Sequence, residues 1–473
     1  MCGIVGYVGE KHKTTEVLLT GLKALEYRGY DSAGMAYFIE DTIKVSKEVG
    51  RVKNLEKLLQ EENATIGIAH TRWATHGEVT KENAHPHTQN KFTIVHNGII
   101  ENYQELKDNL TKEGYLFQSK TDTEVLAALL DFLYKKENDI LKAINQLKDY
   151  VDGSYALGIL CLDDKDTLYA IRKDSPLIVG IEEKDSFIAS DVPAILKYTN
   201  QYILLENNEI VTLSKQGYTI YNEKLEKQEK EVLTFEGDIT SAEKCGYEHF
   251  MLKEIYEQPE IVKNLVDYYL NLENNDFSDR LPSLLKYKKI HVVACGSAYH
   301  TGLVFKSLME EYAEVETIVE VASEYRYKKN FYDQDTLVLV ISQSGETADT
   351  LAALRKAKTD HIDTLAIVNV VGSSIAREAD QVLYIYAGCE IAVATTKAYS
   401  AQLALLSLLA LKLAYEKKLI TKEQKQSILQ EYIHIDKKMK KLLNQDYEKI
   451  VKRIYNRQDI FFIGRGIDYS MSM

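Results

Sequence analysis

The second residue of the chain is a cysteine, set in Met1-Cys2-Gly3-Ile4-Val5-Gly6. Removal of the initiator ahead of so small a side chain would leave Cys2 with both a thiol and a free α-amino group. The thiol pKa lies near ~8.5 and the amine pKa near ~8, so the amine can take the thiol proton without a histidine or an aspartate. A nucleophile of that kind attacks a carbonyl carbon and needs donors for the oxyanion that develops. The bland reading is a small buried hydrophobe beside a starting strand.

Three polar clusters supply what such a nucleophile requires. In His70-Thr71-Arg72-Trp73-Ala74-Thr75-His76-Gly77 the arginine fork can clamp a carboxylate; the alternative is a surface ion pair. His96-Asn97-Gly98-Ile99-Ile100-Glu101-Asn102 directly follows an apolar run. The Asn97 amide and the Gly98 N–H can point together at an oxyanion, a type of contact that contributes ~3 kcal/mol; alone, Asn-Gly is a plain turn. In Ser119-Lys120-Thr121-Asp122-Thr123-Glu124 the bland task of Thr121 or Asp122 is to cap the helix that follows. A papain-like Cys–His pair is the mechanistic rival, because His70, His76, His85, His87 and His96 are available.

The elements that must position these residues read as strands at Ile4–Val8, Ser32–Phe38, Thr65–His70, Phe92–His96, Tyr155–Leu162 and Thr167–Arg172. Helical patterns at Thr14–Leu25, Tyr103–Glu113 and Thr123–Tyr134 separate them, which predicts a layered α+β sandwich. Around Thr234–Gly246 periodicity is lost and the chain turns polar, as in a linker. A helix is expected from near Glu248, interrupted or closely followed by Pro259. Beyond Lys288, apolar runs at Ile290–Ala294, Val315–Val321, Thr336–Ile341, Thr364–Val370 and Gln381–Tyr386 alternate with helical stretches. That alternation predicts an α/β parallel sheet covered by helices on both faces. The corresponding domains are 2–235, a linker at 236–250, 251–446 and a further start at 447–473.

The net charge of −13 argues against a nucleic-acid or acidic-membrane partner. Five scattered cysteines, Cys2, Cys161, Cys245, Cys295 and Cys389, fit neither a disulfide framework nor a zinc site, so a reducing cytoplasm and no metal or cofactor are expected. The apolar start lacks a basic n-region and runs into Glu10-Lys11-His12-Lys13, so no secretory signal is expected. The most apolar segment, Leu403–Leu411, falls short of the ~20 residues that span a bilayer. It reads as a buried helix, either in the core or at a subunit interface.

Cys2–Gly6, Tyr27-Arg28-Gly29-Tyr30-Asp31-Ser32-Ala33-Gly34, His70–Gly77, His96–Asn102 and Thr121–Glu124 together resemble the glutaminase domain of class II amidotransferases. The resemblance implies an N-terminal-nucleophile hydrolase fold, with Cys2 as nucleophile, its own amine as base, and Asn97 and Gly98 as the oxyanion hole. It implies that Arg72, Thr75 and His76 hold the glutamine carboxylate and Asp122 the amino group. Trp73 would close and direct the ammonia path.

In the second half, Thr336–Ile341 runs into Ser342-Gln343-Ser344-Gly345-Glu346-Thr347 and then a helix. Hydroxyls and free N–H groups at a helix start can cradle a phosphate, although a serine-rich cap is the plainer reading. With Ala294-Cys295-Gly296-Ser297 and Glu390–Lys397, this half resembles the doubly wound sugar isomerase (SIS) domain of the glutamine–fructose-6-phosphate aminotransferases. Ser342, Gln343, Ser344 and Thr347 would then hold a sugar phosphate, with Ser297, Val393 and Thr395 lining the site. Ala298 departs from the serine that many members carry. The substrates implied are glutamine and fructose 6-phosphate, in a homodimer formed through the SIS domain. Asparagine synthetases and phosphoribosyl-pyrophosphate amidotransferases fit less well, since neither a serine-glycine-glycine pyrophosphatase loop nor an acidic ribose-binding stretch is found.

Asp459–Tyr469 repeats the strand, glycine turn and helix start of Lys289–Tyr299. The repeat breaks off four residues after Tyr469, which leads to the expectation of a truncated second SIS domain. Glutamine hydrolysis is then expected to outlast synthesis of glucosamine 6-phosphate. Two rival functions are a glutaminase with a catalytically empty sugar domain and a sugar-phosphate-binding regulatory module.

Overall fold

The computed structural model describes residues 2–60, 63–74, 77–235, 245–333 and 335–473. The chain divides into two compact units, Met1–Ala242 and Glu243–Met473.

In the first unit the strand Gly3–Val8 (β1) is buried along its whole length. Ile4 and Val8 enter one apolar core and Val5 and Tyr7 another, because alternate side chains leave a strand on opposite faces. Val5 and Tyr7 meet Val17, Leu18 and Leu22 of the helix Thr14–Leu25 (α1). Within an eight-stranded antiparallel sheet of the described residues, β1 lies between Ile66–Arg72 (β2) and Ser186–Ala189. Gly3 pairs with Thr71 and Ile4 with His70, which brings the end of β2 alongside Cys2.

A seven-stranded antiparallel sheet lies against the first, with Phe92–Ile100 (β3) paired to Gly153–Cys161 (β4). Val95, Ala156 and Leu160 meet Ile4, Ile68 and Ile188 between the sheets. On the outer face Phe92, Ile94, Leu157 and Ile159 pack with Val125, Leu129 and Leu133 of Asp122–Glu137 (α2). The layers are helix, sheet, sheet, helix, as expected for the N-terminal-nucleophile sandwich. All six expected strands form. β3, however, runs on to Ile100, so Asn97 and Gly98 sit inside a paired strand opposite Ala156 and Tyr155 rather than in a turn after it. Strands Ile178–Ile181 and Ser186–Ala189 escape the sequence pattern, because four residues are too few to declare a period.

The second unit holds a five-stranded parallel sheet of Lys289–Ala294 (β5), Glu316–Val321 (β6), Thr336–Ser342 (β7), Asp363–Val368 (β8) and Gln381–Tyr384 (β9), in the order β6-β5-β7-β8-β9. Ile290, Leu339 and Ile367 face one core and Val293, Val338 and Ala366 the other, which makes the sheet doubly wound. Connections leave β5 in opposite directions toward β6 and β7, so the crevice beyond their carboxyl ends is the place where such sheets bind ligands.

Three expectations are corrected here. Pro259 neither interrupts nor ends its helix, which runs unbroken over Phe250–Tyr269 (α3). Proline removes one N–H, and the Gln258 side chain donates instead to the Ile255 carbonyl at 3.1 Å. The apolar helix, observed as Lys397–Glu416 (α4), has the length and composition to cross a bilayer. Leu405, Leu406, Leu408 and Leu409 pack in this unit's own core with Phe305 and Val266, as the core alternative expected. The strand expected at Ile460–Ile463 does not form, and Phe461 is 87% and Ile463 91% exposed. A strand needs a neighbour to take its N–H and C=O groups, and none lies beside it among the described residues. The helix start that follows does form, as Ile467–Ser472. Most of the expected linker, residues 236–244, lies outside the described residues.

Candidate active site

Cys2 is half-buried, and its thiol meets residue 73: the Trp73 N–H donates to Sγ at 3.3 Å, and Sγ stands 3.6 Å from the Trp73 carbonyl. Burial pushes the Cys2 thiol up, while the Trp73 N–H, Arg72 and Arg28 pull it down. A thiol held protonated in this way needs a base at the moment of attack. The Cys2 carbonyl is fixed by two donors, Arg28 Nε and Asn97 Nδ2, both at 3.1 Å. Arg28 is in turn paired with Asp191 at 3.0 Å.

Asn97 therefore lies beside the nucleophile although 95 residues separate them. Its Oδ1 takes a hydrogen bond from His70 Nε2 at 3.0 Å. Gly98, next in the strand, has φ +135, and a Cβ there would stand 2.0 Å from the Ser154 carbonyl oxygen. Glycine is needed at that position. Arg72 is no surface ion pair: it is 4% exposed and donates to the Gly77 and Glu78 carbonyls at 3.3 Å each. Asp31, inside the Tyr27–Gly34 motif, accepts from the Ala74 N–H at 2.8 Å and so holds the chain just after Trp73. Trp73 packs edge-on against Tyr30, with ring centroids 5.2 Å apart. Thr75 and His76 lie outside the described residues.

Asp122 does not cap its own helix. Thr121 occupies the cap position of α2 and makes no side-chain cap bond, while Asp122 Oδ2 accepts from the Ile100 N–H at 3.1 Å. The buried carboxylate thus faces the end of β3, two residues beyond Gly98.

The histidines form a buried group of their own. His85 stacks on His70 with centroids 4.0 Å apart, and His87 lies edge-on to His85 at 5.0 Å. Thr123 Oγ1 is 3.0 Å from His96 Nδ1 and 3.2 Å from His85 Nε2, and Thr121 Oγ1 is 3.1 Å from His87 Nε2. Burial holds the His70 pKa down to about 3 and those of His85 and His87 well below 6.5. Through Nε2 each of the three meets a group other than the Cys2 thiol: His70 the Asn97 Oδ1, His85 the Thr123 hydroxyl and His87 the Thr121 hydroxyl.

In the second unit, Ser342 ends β7 and is buried. Its Oγ is 3.0 Å from Thr347 Oγ1 and accepts from the Gly345 N–H at 3.0 Å. Ser344 Oγ accepts from the Glu346 N–H at 3.2 Å. The Gln343 carbonyl accepts from the Asn369 N–H at 3.1 Å. Asn369 then binds Ala387 N–H and the Gly388 carbonyl, both at 2.7 Å, so one asparagine ties the serine loop to the loop after β9. Sequence reasoning passed over it. Val393 is 68% exposed. The Thr395 hydroxyl donates to Glu390 at 2.6 Å, and Glu390 also accepts from the Thr396 and Ala398 N–H groups at the start of α4. Ser297 is exposed in the first turn of the helix Gly296–Tyr312, after β5. Glu254 of α3, also unforeseen, accepts from the Ile391 and Ala392 N–H groups at 2.6 and 3.0 Å.

Among the described residues His12, Glu182 and Asp185 bring possible metal ligand atoms within 4.8 Å of one another. Lys11 already pairs with Glu182, and the Tyr7 hydroxyl donates to Asp185 at 2.9 Å.

Residues 70–197 match the family described as a glutamine amidotransferase domain, and residues 283–412 match the SIS domain. An antiparallel sandwich with a cysteine at position 2, followed by a doubly wound parallel sheet with a hydroxyl-lined loop, makes this a two-unit glutamine amidotransferase of the SIS-domain class. A protein of Clostridium tetani named glutamine–fructose-6-phosphate aminotransferase (isomerizing) is 48% identical over 485 residues, covering 100% of this chain and 79% of that protein. One of the same name from Clostridium acetobutylicum is 47% identical over 483 residues, with 100% and 79% covered. Of solved structures, the C-terminal domain of glucosamine-fructose-6-phosphate aminotransferase from Francisella tularensis is 39% identical, with 48% of this chain and 66% of that one covered and a TM-score of 0.46. The chain belongs to the glutamine–fructose-6-phosphate aminotransferase family.

Proposed function

We propose that the chain hydrolyses glutamine at Cys2 and passes the ammonia to fructose 6-phosphate, yielding glutamate and glucosamine 6-phosphate. Sγ attacks the carboxamide carbon while the Cys2 amine, freed by loss of Met1, takes the thiol proton and returns it to the departing ammonia. The γ-glutamyl thioester that remains is opened by water. Asn97 Nδ2 and the Gly98 N–H hold the oxyanion in both steps. Arg72, with Thr75 and His76, takes the substrate carboxylate, Asp122 takes its ammonium group, and Trp73 covers the ammonia path. In the second unit Ser342, Gln343, Ser344 and Thr347 hold the sugar phosphate, with Ser297, Val393 and Thr395 around the sugar.

The observation that supports this reading is the 3.1 Å bond from Asn97 Nδ2 to the Cys2 carbonyl, an amide N–H donor beside the residue read as the nucleophile. The reading includes a cytoplasmic homodimer joined through the SIS unit, with no nucleic-acid or membrane partner. Its test is a paired assay of glutamate and glucosamine 6-phosphate, with and without fructose 6-phosphate. Glutamate release that survives Cys2→Ala sinks the first half, and glutamate without any glucosamine 6-phosphate sinks the second.

A further inference from the structure

We propose that His70 is a positioning residue for the oxyanion site, its Nε2–H locking the Asn97 carboxamide so that the NH2 group faces Cys2. This rests on the reading of Cys2, Asn97 and Gly98 as a glutaminase centre. His70 Nε2 stands 3.0 Å from the His96 carbonyl oxygen and 3.0 Å from an Asn97 side-chain atom. A carbonyl can only accept, so Nε2 carries the proton, and the Asn97 atom facing it must be Oδ1. The other end of the same amide faces the Cys2 carbonyl at 3.1 Å, again an obligate acceptor, so that end must be NH2. Two independent acceptors therefore fix one amide orientation. A flipped amide would set two oxygens against each other at Cys2 and two donors against each other at His70.

His70 lies on β2 and Asn97 on β3, so this bond joins the two sheets beside the nucleophile. The tautomer is not imposed from the other side of the ring, since His70 Nδ1 is buried without a partner. The ring is held in place by its stack on His85. His85 accepts the His96 N–H on Nδ1 at 3.3 Å and therefore donates from Nε2 to Thr123. Loss of the His70 donor leaves Asn97 with one anchor, and Oδ1 buried without a donor.

Two substitutions separate donor from packing. His70→Phe keeps a flat ring on His85 and removes the donor; His70→Gln gives up the ring and keeps an N–H near the place of Nε2. Full removal of an oxyanion donor costs roughly 10²–10³-fold in kcat, which sets the ceiling. For glutamate release by the full chain, His70→Phe is expected to lower kcat about tenfold to a hundredfold with KM within about twofold, and His70→Gln to recover most of the loss. In an Asn97→Ala background His70→Phe should then cost less than about threefold more. A role in packing alone predicts the reverse ranking, with Phe active and Gln impaired, and full multiplication with Asn97→Ala; either result overturns the proposal. If His70→Phe does not fold, His70→Leu takes its place in the same comparison. Failure of the parent chain to release glutamate, or release that survives Cys2→Ala, would instead overturn the underlying reading.

Discussion

Gly98→Ala tests whether the strand that carries the oxyanion donors has any slack. Gly98 sits at φ +135 opposite Tyr155 in the β3–β4 ladder, and an added Cβ would lie 2.0 Å from Ser154 O and 2.7 Å from Ser154 C. The closer distance is roughly 1.4 Å short of the 3.4 Å at which ordinary contact begins, and the atoms struck are backbone in a paired strand. Alanine at this φ costs about 1–3 kcal/mol before the clash is counted. In a unit of this size each kcal/mol lowers Tm by roughly 2–4 °C. Relief of the clash must move the Gly98 amide by about 1 Å, and a misplacement of that size can cost on the order of 10²-fold in rate. Gly217→Ala is the matched control, since φ there is +116 and nothing lies within 4 Å, so it should lower Tm by the strain alone and leave activity intact. The assay is glutamate release alongside calorimetric unfolding of the same samples. A Gly98→Ala protein with a rate within about threefold of its parent would refute the reasoning, and so would a Tm loss no larger than that of Gly217→Ala.

Three further outcomes follow from the same geometry. The pKa values of His70, His85 and His87 are depressed in the folded chain. Their stability contribution is therefore full above about pH 6.5 and is lost as pH falls below it, for His70 down toward about 3, at about 1.4 kcal/mol per pH unit for each ring that stays neutral in the fold; a first-unit Tm equal at pH ~7.5 and ~5.5 would contradict this. A chain in which an uncleavable residue blocks the Cys2 amine should lose glutamate release while still unfolding at the parent temperature, and retained release would exclude the amine as base. Thr347→Val deletes the hydroxyl 3.0 Å from Ser342 Oγ and should weaken fructose 6-phosphate binding in calorimetry by roughly 1.5–3 kcal/mol, on the order of tenfold to a hundredfold; unchanged affinity would remove Thr347 from the phosphate site.

The sandwich and the parallel sheet were legible in the chain because burial on one or both faces of a strand leaves a period or a continuous apolar run that needs no knowledge of partners. What the periodicity missed were elements whose existence depends on a neighbour. Asn97 and Gly98 belong to β3 because Gly153–Ala156 extends the ladder past His96, and Ile460–Ile463, apolar enough for a strand, has none beside it to pair with among the described residues. Pro259 stays helical because a side chain one residue away answers for the missing N–H.

By itself the sequence determined which chemistry is available here: a cysteine at position 2, an arginine loop, an asparagine-glycine pair, an acidic helix start and a serine-rich turn are contiguous motifs, and reactivity belongs to residue types. Only the tertiary structure decided how those groups are aimed. Arg28 holds the Cys2 carbonyl, Asp122 answers the Ile100 N–H instead of its own helix, His70 reaches Asn97 from the facing sheet, and Asn369 ties two loops of the second unit together. Those bonds join residues 18 to 27 positions apart along the chain. A hydrogen bond is set by where strands and loops come to lie, and no local pattern records that.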